Sequence, residues 1–125
     1  MRRSIFLTFS ISLIAVITFL AAPRTSTPTS WAVVNLDGSL ARGRDAVSSA
    51  QLGVDGQYEV VFNRDVSQCA YVANGGEATT IGPDDAIVLT VAPREGNPSA
   101  VFIQEWDGVL ARDSYSSGFH LVVTC

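Results

Sequence analysis

Two carboxylates flank a tryptophan in Glu105-Trp106-Asp107. Residues two apart on a strand share a face and sit about 6.5–7 Å apart along it. Paired carboxylates beside an aromatic ring are the equipment of a glycosidase, where one acid protonates the leaving group and the other attacks or activates water. The spacing alone carries little weight, because any i, i+2 pair on a strand meets it. The plainer reading is a solvated strand face beside the Asp107-Gly108 turn. Trp31 and Trp106 offer a second chemistry, a stacking platform for a sugar, provided that the rings are exposed rather than buried as anchors. Trp31, Glu105, Trp106 and Asp107 are therefore the candidate ligand contacts.

The remaining reactive side chains are sparse. His120 is the single histidine, and a metal centre needs several His, Cys, Asp or Glu ligands converging. It reads as a half-exposed strand residue. Ser114, Ser116 and Ser117 precede it, but closeness in sequence is not triad geometry, and there is no Gly-x-Ser-x-Gly elbow. Asp84-Asp85 after Gly82-Pro83 supply two carboxylates where calcium takes six to eight oxygens, so a turn is the stronger reading. Asn97-Pro98-Ser99 fails as a glycosylation acceptor because proline occupies its middle. No Gly-rich phosphate loop occurs. The sequence thus assigns no catalytic residue, no metal ligand and no cofactor, and points away from an enzyme.

The elements that must position these residues have a period of two. Tyr58, Val60 and Phe62 alternate against Glu59 in "QYEVVF" (57–62). "WAVVN" (31–35), "AVSSAQLG" (46–53), "CAYVA" (69–73), "EATTI" (77–81) and "VFIQEW" (101–106) read as further strands. "AIVLTVA" (86–92) is continuously apolar, which predicts burial on both faces or a place in an interface. In "FHLVVTC" (119–125), Phe119, Leu121, Val123 and Cys125 take one face, and His120, Val122 and Thr124 the other. Short strands punctuated by "NGG", "IGPDD", "PREGNPS" and "SSG" predict an all-β fold, a single β-sandwich or jelly-roll-like domain.

Asp-Gly-x-Leu-Ala-Arg occurs twice, at 37–42 and 107–112. Asp-Gly is a strong hairpin signal, since both central positions of a type I′ turn need positive φ. Asp55-Gly56 is a third such turn without the tail. The shared tail and the matching upstream strands raise the question of internal duplication, in which 31–43 and 101–113 would hold equivalent places.

The chain opens with Arg2 and Arg3 followed by an uncharged apolar run over 4–22. Residues 1–22 read as a secretory signal peptide or, since the run is long enough to span, an N-terminal membrane anchor. The arginines favour a cytoplasmic N-terminus, which puts the rest outside the cytoplasm on both readings. Residues 23–30, rich in Pro, Ser and Thr, form a linker. Residues 31–125 make one domain. Cys69 and Cys125 both fall in the exported part and are expected to pair. The alternation turns both toward the core, where the bridge would lock the last strand onto a central one.

Lysine is absent, and residues 31–125 hold five Arg against twelve Asp and Glu. Such a domain repels phosphate backbones and anionic lipid, which argues against nucleic-acid binding and leaves residues 4–22 as the only membrane contact, if they are retained.

"WAVVNLDGSLARG", "GQYEVVFNRDVSQCAYVA", "VFIQEWDG" and "FHLVVTC" together resemble a family of small secreted bacterial β domains, commonest in actinobacteria. That family shows a Gly-x-Tyr-x-Val-x-Phe strand, a Cys-x-Tyr-x-Ala strand and a Phe-His-Leu-x-Val-x-Cys terminus. The resemblance covers nearly all of 31–125 and implies export and a β fold without supplying an activity. A looser likeness is to C1q/TNF-like jelly rolls, which are trimers that bind proteins. The expectation is a non-catalytic interaction domain at the cell surface or outside the cell. Its partner would be a protein or glycan, and it would form a homo-oligomer, a trimer by that likeness, through the apolar "AIVLTVA" strand. The alternative is a carbohydrate-binding or carbohydrate-active sandwich built on the four candidate contacts.

Overall fold

The computed structural model describes residues 28–54, 56–79, 87–107 and 117–125. The expectations placed on residues 1–22, on Asp84-Asp85, on Ser114 and Ser116 and on the second Leu-Ala-Arg fall outside them. The described chain forms eight strands and no helix: β1 (Thr29–Val34), β2 (Leu40–Arg44), β3 (Ala46–Gln51), β4 (Gln57–Phe62), β5 (Ala70–Gly75), β6 (Ile87–Pro93), β7 (Ala100–Asp107) and β8 (Phe119–Thr124). They make two antiparallel four-stranded sheets, the first in the order β2-β1-β8-β5 and the second β3-β4-β7-β6. The fold is a β-sandwich.

Alternation decides what lies between the sheets. Ala32 and Val34 of β1, with Phe119, Leu121 and Val123 of β8, face Tyr58, Val60 and Phe62 of β4 and Val101 and Ile103 of β7. Tyr58 and Phe119 meet edge to face across the core, centroids 5.2 Å apart. Burying each Val, Leu, Ile or Phe among them contributes about 1.5–3 kcal/mol. The last strand alternates as its sequence predicts, with Phe119, Leu121 and Val123 buried and His120, Val122 and Thr124 exposed.

β6 is not covered on both faces, which leaves the other expected reading, a place in an interface. It is an edge strand whose side chains alternate between half-buried and exposed, and Val88 is 53% exposed. Leu89 and Val91 pack against the core, while Val88, Thr90 and Ala92 face outward. An unbroken apolar run therefore does not mark a strand covered on both faces. Residues 77–79 of the expected "EATTI" strand form no strand either.

The Asp37-Gly38 turn is also of another type. Only Asp45 among the described non-glycine residues has positive φ, so Asp37 does not satisfy a type I′ turn. Gly38 N–H donates to the Asn35 carbonyl at 2.9 Å, and Asn35 N–H to Ser39 O at 2.9 Å, with Gly38 at φ 82°. That is a type I turn closed by a left-handed glycine. Gly38 is needed twice over, because a Cβ there would lie 2.4 Å from Gln51 N on the neighbouring sheet. The upstream strands of the repeated motif are not equivalent. β1 pairs with its own hairpin strand β2, whereas β7 is flanked by β4 and β6.

Cys69 and Cys125 form a disulfide, Cα atoms 4.4 Å apart. They extend the β5–β8 ladder by one step beyond Ala70↔Thr124. The bridge ties the last strand to the edge strand of its sheet, not to a central one as expected.

Candidate functional site

The four candidate contacts do not converge. Trp31 turns to the outer face of the first sheet, because its neighbours Ser30 and Ala32 are buried. Trp106 turns to the outer face of the second sheet and is 36% exposed. The rings thus stand on opposite sides of the sandwich and make no common platform. Glu105 does not belong to a solvated face: it shares the inward face of β7 with Val101 and Ile103 and is 0% exposed. Only the backbone of Asp107, the last residue of β7, is described.

Glu105 is held rather than displayed. Its Oε2 accepts from the Tyr58 hydroxyl at 3.3 Å, and its N–H donates to Gly56 O at 2.7 Å. Gln104 beside it is also buried and donates from Nε2 to Gly56 O at 3.3 Å. A carboxyl sealed in this way has no path to a substrate bound on the Trp106 face. The sequence carried this signal, since Glu105 continues the Val101, Ile103 alternation.

The second sheet's outer face carries Trp106 with Val88 opposite it on β6. Trp106 Nε1–H donates to Thr90 Oγ1 at 3.3 Å. Further along, Arg94 Nε donates to Glu59 Oε2 at 2.9 Å while its guanidinium lies 5.9 Å from the Phe102 ring. Glu59 and Arg94 on this face are therefore paired with each other.

The first sheet's outer face is half covered. Val33 points outward, yet is only 5% exposed. Its ladder partners are Arg42 on β2 and His120 on β8. Arg42 Nη1 donates to Ala78 O at 2.8 Å, and His120 Nε2 lies 3.2 Å from Glu77 O. Residues 76–79 thus strap across the sheet over Val33, and this is what His120 does. The other half stays open: Trp31 pairs with Val122, and Val122 with Val72, in one row over three strands. Val122 is 41% and Val72 68% exposed.

A polar cluster that the sequence did not reveal pins the start of β1. Buried Ser30 donates from Oγ to Asp45 Oδ2 at 2.8 Å and accepts from Arg64 Nη2 at 2.8 Å. Arg64 Nη2 also reaches Pro28 O at 3.3 Å. Asp45, at φ 63°, is the corner where the chain leaves β2 for β3 in the other sheet. Nearby, the Tyr71 hydroxyl donates to Val66 O at 2.5 Å. Burial, and then the charge of Asp65, raise its pKa above the usual phenol value.

Among the described residues no three His, Cys, Asp or Glu side chains gather closely enough to hold a metal ion. Nor does any described helix have the length and apolarity to cross a membrane. No family model, curated protein or solved structure matches the chain.

Proposed function

We propose that this chain is a secreted or surface-tethered, non-catalytic interaction domain that associates with copies of itself through β6 and the adjoining face of β7. One observation carries the reading. The most apolar strand of the domain lies at a sheet edge with Val88 exposed beside Trp106. Tryptophan is among the residue types enriched at interface hot spots. The disulfide supports an oxidising compartment, in keeping with the leader. Eight strands in two sheets, with the first strand paired to the last, suit the jelly-roll likeness and with it a trimer.

Light scattering on the full chain tests this. The expected result is a concentration-dependent oligomer that Val88→Asp turns into a monomer. A monomer at every concentration would end the self-association reading. The carbohydrate alternative keeps one support, the exposed Trp106 ring. It loses the carboxylate pair, because Glu105 is buried.

A further inference from the structure

In this domain the carboxylates are unevenly placed. All twelve Asp and Glu of the chain lie within residues 31–125, against five arginines there. None falls on β1, β2, β5 or β8. The first sheet instead carries Arg42 and Arg44, two apart on β2 and therefore on one face. Arg42 faces outward with Val33 and is partly engaged by the strap. Arg44 lies between Gly43, which pairs with Ala32, and Asp45, which bridges to Trp31, so it flanks the tryptophan. Among the described residues it makes no hydrogen bond or ion pair.

We propose that the open half of this face, the Trp31–Val122–Val72 row with Arg44 and Arg42 beside it, docks an acidic polypeptide segment that carries an apolar side chain. The inference rests on the interaction-domain reading but uses the sheet face opposite to the self-association surface. Charge complementarity selects the partner. Charges farther away than a Debye length of about 8 Å are screened, so a short acidic segment meets Arg42 and Arg44 ahead of the carboxylates of the second sheet, and the nearer Asp45 is engaged by Ser30. The exposed valines have nothing to offer the hydroxyls of a sugar but suit a side chain of Leu or Phe type. Trp and Arg side by side are also the residue types that dominate protein–protein hot spots.

The test is selection of a displayed random peptide library on the full, oxidised chain, with a glycan array and anionic vesicles run in parallel. The selected peptides are expected to be rich in Asp and Glu around an apolar residue. Their affinity is expected to fall about tenfold with Arg44→Glu or with Val72→Asp, and to weaken with salt. Val72 is exposed enough for its substitution to leave folding intact, and Val88→Asp, which acts on self-association through the other sheet, should leave the affinity of each monomer for the peptide unchanged. Peptides without acidic enrichment, or binding indifferent to Val72→Asp, would overturn the proposal. So would the chain retaining only glycans or vesicles. A chain that self-associates yet selects no peptide overturns this inference alone and leaves the interaction-domain reading standing.

Discussion

Trp31 and Trp106 occupy matching positions, each on an inner strand of its sheet and each turned outward, but their surroundings differ in charge and in cover. On the Trp106 face the ring N–H is taken by Thr90 and, further along, Glu59 by Arg94. Around Trp31 there is an unpaired arginine, a strap over one half of the face and no carboxylate on any strand of the sheet. The same alternating pattern thus builds two surfaces with different partners. What separates them is where the acids fall and which loops fold back.

The largest effect should come from the disulfide, which only the first sheet possesses. Its cysteines are 56 positions apart, and closing a loop of that order contributes about 4 kcal/mol. Replacing both with serine should lower thermal stability by about that amount. Hydrogen exchange should show β5 opening before any strand of the second sheet. Equal loosening of both sheets would show that the bridge constrains the whole domain and not one edge.

Next come the buried polar residues of each sheet. Glu105→Ala removes an acceptor of the Tyr58 hydroxyl and opens a cavity, which should cost about 3 kcal/mol in denaturant unfolding. Ser30→Ala leaves Asp45 and Arg64 without their shared partner and should cost about 1–2 kcal/mol. The reverse order would mean that the corner at Asp45, not the inside of β7, is the more critical polar site.

These two sites also show what could and could not be read in advance. β4 and β8 were legible because their alternation is strict. The cysteine pairing followed from an even count in a segment read as exported, whereas the strand it ties down did not follow from the alternation. Glu105 was legible from its register with Val101 and Ile103, but a charged residue next to Trp106 invites a surface reading. The corner was illegible: a non-glycine residue at positive φ carries no local signal, and Ser30, Asp45 and Arg64 meet only after the chain changes sheets. β6 left two readings open for a related reason. Edge position is a property of topology, and an apolar edge strand looks the same in sequence as a central one.

Smaller effects are expected at the surface. Val88→Asp should abolish self-association while changing monomer stability by no more than about 0.5 kcal/mol. The smallest effect concerns acid. Ser67 hydroxyl and backbone N–H hold the Asp65 carboxyl below its ordinary pKa, and Ser39 does the same for Asp37. A carboxyl lowered on folding adds stability that is full above its unfolded pKa and lost as pH falls through the folded one. Asp65→Asn and Asp37→Asn should therefore each flatten the fall in stability below about pH 4, read by thermal unfolding across pH. An unchanged slope would show that these turns form equally in the unfolded chain.

The most direct measurement uses each tryptophan as its own reporter. In Trp31→Phe only Trp106 fluoresces, and in Trp106→Phe only Trp31 does. Quenching by acrylamide is followed as protein concentration rises. The expected result is that Trp106 becomes shielded with concentration while Trp31 stays as accessible as in dilute solution. Shielding of Trp31 instead, or of neither ring, would contradict self-association through β6 and β7.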